Sequence, residues 1–264
     1  MKLNFPFMLV ENSIWPLTSS ISALSLLLGS VMLFHLKIAG LELVLLSLLS
    51  LLISLYFWWK EVIIEGTYQG LHSKDVQKNI TIGFLLFVVS EGIIFFSFFF
   101  AYFYNSLIPS VNVGGVWPPV GIETLDASAI PLLNTVILFM SGISVTASQH
   151  FIVAKNRKNG ILYLIITVFL GLIFLFFQYY EYKNSLFTIA DSVFGASFFL
   201  LTGFHGFHVL IGVLFLITSL FRLIEYHYSD NHFLNATFAS IYYHFVDVVW
   251  ILLFAVIYCW GSGL

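Results

Sequence analysis

NITIGFLLFVVSEGIIFFSFFFAYFY, the stretch from Asn79 to Tyr104, holds one carboxylate, Glu91, near the centre of an otherwise apolar run. As a helix this stretch is roughly 39 Å long, enough to cross a bilayer core of about 30 Å with some tilt. Glu91 therefore lies near mid-membrane, where a charge costs about 2.5 to 3.5 kcal/mol or more. We expect Glu91 to be protonated or to have a polar partner on another helix.

The composition of the whole chain is that of an integral membrane protein. Of its 264 residues, 60% are hydrophobic and 9% are charged, and the mean hydropathy is +0.99. The apolar segments are long and uninterrupted by charge, which favours a bundle of α-helices over a β-barrel with alternating polarity. The net charge of −3 is small and dispersed, so the composition indicates no nucleic-acid partner.

The few sulfur-bearing side chains of this chain exclude some kinds of redox site. Cys259 is the single cysteine, which excludes an intrachain disulfide and any site that needs two thiolates, such as a binuclear copper or iron–sulfur centre. The four methionines are scattered and form no copper-binding set. No signal-peptide cleavage pattern precedes the first long apolar run, so we expect the first transmembrane helix to direct insertion.

The apolar runs predict an all-α membrane protein with seven transmembrane helices in one polytopic domain that covers residues 1–264. A long inner connection follows the second helix, so we expect a two-helix unit and a five-helix unit separated by a lipid-filled cleft. The predicted helices span about 17–35, 41–59, 79–104, 131–153, 160–182, 193–221 and 236–260.

The positions of the basic residues predict the orientation in the membrane. If the N-terminus lies inside, eight of the ten lysines and arginines fall on inner segments. They include the compact basic turn from Lys155 to Lys158. The positive-inside rule then places the N-terminus on the matrix or cytoplasmic side and the C-terminus on the opposite side.

Two histidine-containing motifs supply polar groups within the apolar helices. His205 and His208 are three residues apart on the sixth helix, and His244 and Asp247 are three apart on the seventh. Counted from the inner ends, Glu91, His208 and Asp247 lie roughly 18, 20 and 15 Å deep. We predict a hydrogen bond between Glu91 and His208, and a second polar cluster of His244 and Asp247 nearer the inner side.

Several of these residues have more than one interpretation. For His205 and His208, bonding to a neighbouring helix or subunit is favoured over haem ligation. Glu91 fits a buried structural carboxylate as well as a functional, protonatable one, and His244 with Asp247 fits a helix-packing pair better than a proton carrier. Glu181 is expected to be solvated at the outer interface. Inner-face charges expected to meet lipid headgroups are Arg222, Glu225, Lys155 and Arg157.

An ordered series of motifs along the chain resembles cytochrome c oxidase subunit III of mitochondria. The resemblance covers nearly the whole sequence, and its specificity lies in the order of the series. The motifs are SIWPLTSSISAL from Ser13, WWKEVIIEGTYQG from Trp58, VVSEGIIFFSFFFAYF around Glu91, GGVWPPVGIE from Gly114, IPLLNT from Ile130, FTIADSVFGASFF after Glu181, TGFHGFHVLIG from Thr202 and YYHFVDVVWILLFAVIYCWGS from Tyr242.

The resemblance implies a non-catalytic part in the respiratory oxidase that passes electrons from cytochrome c to O2 and pumps protons. In that family subunit III has no haem or copper, because the redox centres lie in subunits I and II. It packs against subunit I, binds phospholipid in its cleft, and supports proton uptake and the stability of the active site. The expected surroundings are the mitochondrial inner membrane, accessory oxidase subunits and a respiratory supercomplex.

The resemblance also implies roles for individual residues. Glu91 is similar to the family's intramembrane carboxylate, with His208 near it. Departures from the family pattern are Ile64 before the EGTYQG motif, Glu225 in place of a base, and the loop at residues 231–237 before the last helix. Positions similar to the family's cleft and headgroup residues are Trp58, Trp59, Glu65, His72 and Arg222.

Two other functions are alternatives to this one. An independent proton-coupled transporter could use Glu91, His208 and Asp247 as a relay, but the sequence has no internal repeat and no matched pair of broken helices. A haem-bearing membrane cytochrome is the third alternative. It differs in that the isolated chain would show haem absorbance.

Overall fold

The computed structural model describes residues 12–111, 114–228 and 233–262, and in these residues it confirms the predicted all-α fold. Seven helices of the described chain are long and apolar enough to cross a membrane. A π-helical turn, Glu65–Gln69, extends the second helix, and another, Phe254–Trp260, extends the seventh. The helices are α1 Trp15–Phe34, α2 Ile38–Ile64, α3 Lys74–Leu107, α4 Ile130–Val153, α5 Arg157–Asn184, α6 Val193–Ile224 and α7 Leu234–Leu253.

The helices are longer than the apolar runs that predict them. The third begins at Lys74 and not near Asn79, and the fifth begins at Arg157 and not near Gly160. Hydropathy detects the part of a helix that suits the hydrocarbon core, whereas backbone hydrogen bonding continues through the charged turns at the membrane surface. Polar turns at helix ends were therefore missed.

The chain divides into two units, residues 1–80 and residues 81–264. In the first unit α1 and α2 pack in antiparallel directions through small residues. The Oγ of Ser50 donates to the Oγ of Ser22 at 2.8 Å, and a Cβ on Gly40 would lie 2.6 Å from the backbone nitrogen of Leu33. Small residues let the two backbones approach closely, which is how helices associate in lipid.

The carboxylate of Glu61 joins the start of α1 to the end of α2. Trp15 donates its indole N–H to Oε1 of Glu61 at 2.6 Å, and Ser13 donates its hydroxyl to Oε2 at 2.7 Å. The indole of Trp15 also stacks on Phe57, with ring centroids 4.9 Å apart. Both carboxylate oxygens of Glu61 are thus satisfied, and the start of α1 is fixed against α2.

The second unit has its core among α4, α5, α6 and α7, and Trp250 lies at its centre. The indole of Trp250 is fully buried, packs edge-on against Phe174 at 4.8 Å, and donates to the Oγ1 of Thr135 at 3.0 Å. Gly171 on α5 provides room for α6 and α7, since a Cβ there would lie 2.6 Å from Val213. The single domain, the two-helix and five-helix grouping, and its lipid-filled cleft stay predictions.

Candidate functional site

Glu91 on α3 and His208 on α6 form a pair inside the second unit. The Nε2 of His208 lies 2.9 Å from the Oε2 of Glu91, and the two side chains are 6% and 19% exposed. The ring of His208 is held between the edge of Phe95, at 5.0 Å, and the parallel ring of Tyr242, at 6.3 Å. The predicted hydrogen bond between Glu91 and His208 is confirmed.

The second ring nitrogen of His208 determines how many protons this pair holds. Its Nδ1 lies 2.6 Å from the carbonyl oxygen of Phe204, and a carbonyl only accepts, so Nδ1 carries a proton. The contact between Nε2 and Glu91 then contains one further proton, held by the carboxylic acid or by the imidazolium. In either form the pair has no net charge, which suits the interior of a membrane.

His205 lies one turn from His208 and is fully buried. Its Nε2 is 3.2 Å from the carbonyl oxygen of Val246, so Nε2 is the donor in a bond from α6 to α7. The imidazole packs against Phe174 and Trp250. This is the interhelical bond that the structural interpretation of His205 predicts.

His244 and Asp247 lie together on α7, as predicted, but His244 makes its hydrogen bond to another helix. The Nδ1 of His244 lies 3.7 Å from the Oδ2 of Asp247, which is too long for a hydrogen bond. The Nε2 of His244 lies 3.0 Å from the Oγ1 of Thr146 on α4. Sequence reasoning missed Thr146, because a threonine in a transmembrane helix usually bonds to its own backbone.

The expectation that Glu181 is solvated at the outer interface is wrong. The carboxyl is 2% exposed, and its Oε1 accepts from the hydroxyl of Tyr258 at 2.5 Å. The amide of Gln178, one turn earlier on α5, approaches the same oxygen at 3.5 Å. The π-helical end of α7 carries Tyr258, and no hydrophobic periodicity indicates such a segment. The i, i+3 spacing of Gln178 and Glu181 was the available signal.

The predicted headgroup residues are distributed over both units. Trp58 and Trp59 lie near the end of α2, Glu65 is buried in the π-helical turn that follows, and His72 precedes α3. Arg222 is in the last turn of α6, with its guanidinium 5.3 Å from the ring centroid of Tyr228. Their role in lipid binding stays a prediction.

A charged side chain caps the end of α6 in the second unit. Arg157 donates Nε to the carbonyl of Leu223 at 2.9 Å and an Nη to that of Ile224, and it stacks over Tyr226. These bonds satisfy carbonyls at the end of α6. Glu225 is exposed and 3.3 Å from His227. In the altered loop before α7, Asn231 and His232 lie outside the described residues.

Across 12–111, 114–228 and 233–262, no three or more histidine, cysteine or acidic side chains are grouped so that they could hold a metal ion. Several polar side chains of the second unit instead form interhelical hydrogen bonds, among them those of Glu91, His205 and Glu181. The arrangement can therefore fix helices against one another and hold a proton between Glu91 and His208.

Comparisons with known proteins agree with this architecture. The family model for cytochrome c oxidase subunit III matches residues 5–262. Proteins named cytochrome c oxidase subunit 3 match over nearly their full length. That of Prototheca wickerhamii is 50% identical over 98% of this chain and 98% of its own. That of Tachyglossus aculeatus aculeatus is 49% identical over 96% and 97%. That of Arabidopsis thaliana is 47% identical over 96% of each.

The matched residues 5–262 span all seven helices. With these comparisons and the seven-helix fold together, the chain belongs to the cytochrome c oxidase subunit III family.

Proposed function

We propose that this chain is a non-redox core subunit of cytochrome c oxidase, the respiratory complex IV that reduces O2 to water with electrons from cytochrome c and pumps protons. The observation that carries this proposal is the family match over residues 5–262 on a chain with seven membrane-spanning helices. Membership of the family makes the chain a subunit that assembles with other oxidase subunits.

The redox groups of the complex, haem a and copper, belong in this proposal to the partner subunits I and II. The histidines of α6 support this division, because three of their four ring nitrogens already have protein partners and the fourth, Nδ1 of His205, is buried. His205 uses Nε2 on Val246, and His208 uses both nitrogens, on Phe204 and Glu91. A haem iron at His208 would have to displace one of these bonds.

The proposed location is the mitochondrial inner membrane, with the N-terminus on the matrix side and the C-terminus in the intermembrane space. This orientation is supported by the odd number of candidate spans in the described chain and by the basic residues, which fall mainly on the segments assigned to the matrix. In this orientation Arg222, at the end of α6, and Lys60, near the end of α2, face the anionic matrix leaflet.

The proposed role is supportive. The chain packs against subunit I, binds phospholipid, and keeps proton uptake and the active site stable during turnover, within an assembly that extends to accessory subunits and a respiratory supercomplex. Phospholipid binding is supported by the kinds of residue present, namely interfacial tryptophans and charged groups near helix ends. The residues proposed to contact lipid are Trp58, Trp59, Glu65, His72 and Arg222.

The supportive role is tested by removing this chain from the purified oxidase and following O2 consumption over many turnovers. We expect normal initial electron transfer, a retained haem a spectrum, and a shorter active lifetime that re-addition of the chain restores. Loss of haem or copper in proportion to the chain removed would contradict the non-redox assignment. An unchanged lifetime would contradict the supportive role.

A further inference from the structure

Three buried polar side chains near the start of α4 and the end of α5 are incompletely satisfied. Asn134 on α4 is fully buried, and Gln178 and Glu181 on α5 are 4% and 2% exposed. Within the described chain, no hydrogen-bond partner is present for either amide atom of Asn134, for the Oε1 of Gln178 or for the Oε2 of Glu181. A buried polar group without a partner costs about 1 to 3 kcal/mol, so four such atoms indicate a partner that the chain itself does not supply.

The pairing of α4 with α5 brings Asn134 to the level of Gln178. The two helices are antiparallel, and the hydroxyls of Ser144 and Thr167 meet across them at 2.7 Å. Asn134 lies ten residues before Ser144, and Gln178 lies eleven residues after Thr167. With a rise of about 1.5 Å per residue, the two amides differ in depth by only about one residue.

The same two side chains also lie on facing sides of these helices. Asn134 is four helical turns before Ser148, which donates its hydroxyl to the carbonyl of Gly160 on α5 at 2.9 Å. Gln178 is three turns after Thr167, which contacts α4. Both amides therefore lie in the α4–α5 interface, next to the carboxyl of Glu181.

The carboxyl of Glu181 is surrounded by uncharged groups. Its Oε1 accepts from the hydroxyl of Tyr258 at 2.5 Å, and the Nε2 of Gln178 lies 3.5 Å from the same oxygen. An ionised carboxyl group without a positive partner is costly away from water, so the neutral acid is the favoured form. Its proton then lies on Oε2, the oxygen that still lacks a partner in the described chain.

We propose that Asn134, Gln178 and Glu181 form a buried hydration site, which binds at least one ordered water molecule between α4 and α5. The site offers two donors, the Nδ2 of Asn134 and the acid proton on the Oε2 of Glu181. It also offers two acceptors, the Oδ1 of Asn134 and the Oε1 of Gln178. Buried water makes about three such bonds to polar groups that are otherwise unsatisfied, so this set of atoms suits it.

Water fits this site better than a cation or an apolar ligand. A cation would meet the N–H of Asn134 and the acid proton of Glu181, which both carry positive partial charge. An apolar ligand such as a lipid tail would leave all four atoms without a partner. The bound water is enclosed between helices, so it differs from the bulk solvent that an exposed acid would meet.

Infrared difference spectroscopy of the protein in its native assembly tests the acid and its water together. We expect a C=O band of a protonated carboxyl group that Glu181→Gln removes and that shifts when H2O is replaced by D2O. Glu123→Gln, at an exposed position in the loop before α4, is the control and should leave the band in place. If Glu181→Gln removes no such band, or if the band does not respond to D2O, the hydration site is overturned.

Asn134→Leu tests whether the amide on α4 belongs to the site. The leucine cannot hydrogen-bond the bound water, so we expect the C=O band of Glu181 to shift. Asn105→Leu is the matched control, because Asn105 is exposed and donates to a carbonyl of its own helix. A band of Glu181 that is the same in both variants would contradict a shared site. The helix content and thermal unfolding of each variant verify that it has folded.

A second measurement needs no variant. An electron cryo-microscopy map of the unmodified assembly, at a resolution that shows ordered water, should contain a density peak within hydrogen-bond distance of the Oε2 of Glu181. The same peak should lie within reach of the Oε1 of Gln178 or of the Asn134 amide. If the map instead shows the two amides bonded directly to each other and to the carboxyl, with no peak between them, the proposal is overturned.

Discussion

His208 and Glu91, 117 positions apart in the sequence, meet with 2.9 Å between Nε2 and Oε2. The contact joins α6 to α3 at a depth where an unpaired acid would be costly. Because Nδ1 of the same imidazole donates to the Phe204 carbonyl, the shared contact holds one proton and the pair stays neutral.

Breaking this pair from either side is expected to have coupled effects on stability. Glu91→Gln and His208→Phe should each lower the free energy of unfolding, and the double variant should lose about 0.5 to 2 kcal/mol less than the sum. The free energy of unfolding in mixed detergent micelles measures this coupling. Ser97→Ala on the same helix is the control, since Ser97 donates to its own backbone. Additive losses would show that the two side chains do not interact.

The close approach at Gly171 predicts a large effect of one methyl group. A Cβ on Gly171 would lie 2.6 Å from Val213 and 2.9 Å from the hydroxyl of Tyr243. Gly171→Ala should therefore destabilise the second unit by about 1 to 3 kcal/mol through overpacking. Thermal unfolding should show a lower Tm than for Gly83→Ala, whose Cβ meets no atom within 4 Å. The same Tm for both variants would mean that the helices are less tightly packed here.

Tyr258→Phe tests the buried contact with Glu181. The change removes the hydroxyl that donates at 2.5 Å and leaves the carboxyl with the 3.5 Å approach of Gln178. We expect a loss of about 1 to 3 kcal/mol in the free energy of unfolding, the usual effect of leaving a buried acceptor unsatisfied. Tyr179→Phe, at an exposed position on α5, should change stability little. Equal effects would place Glu181 in contact with bulk solvent.

The stability of the turn before α4 is expected to depend on pH. Ser128 donates both its hydroxyl and its backbone N–H to the Oδ1 of Asp126, at 2.7 and 2.9 Å, and these bonds lower the pKa of Asp126. A carboxylate with a lowered pKa stabilises the fold above its unfolded pKa, and this contribution is lost as the pH falls through the folded pKa.

Ser128→Ala removes the hydroxyl donor, so it should raise the pKa of Asp126 toward its usual range. Carbon-13 NMR of the labelled aspartate carboxyl, titrated from neutral to acidic pH, measures the change. The carboxyl of Asp191 reports any general effect of the substitution. A pKa of Asp126 that does not move would show that the hydroxyl contributes nothing to the turn.

The bond between Glu91 and His208 could be predicted because both residues are ionisable and lie at similar depth in apolar helices. The free-energy cost of leaving an ionisable side chain unpaired in the membrane limits its partners to the few polar groups at that depth. The same argument indicated that His205 bonds across to another helix. Its acceptor, the carbonyl of Val246, could not be predicted, because it depends on how α6 and α7 are rotated about their axes.

Glu181 was wrongly assigned because an acid near the end of an apolar run is usually solvated. Its burial depends on Tyr258, which reaches it from the π-helical end of α7. Thr146 was missed for a related reason, since its contact with His244 depends on the pairing of α4 with α7. Helix number and composition follow from hydropathy, whereas these contacts depend on tertiary packing and on local departures from α-helical geometry.

The central claim, that this chain is a non-redox subunit of cytochrome c oxidase, is tested most directly by purifying it with an affinity tag in mild detergent. We predict that haem a absorbance and two larger oxidase subunits co-purify with it, and that the spectrum stays with those subunits when this chain is separated. A chain that purifies alone and colourless, or that retains haem after separation, would contradict the claim.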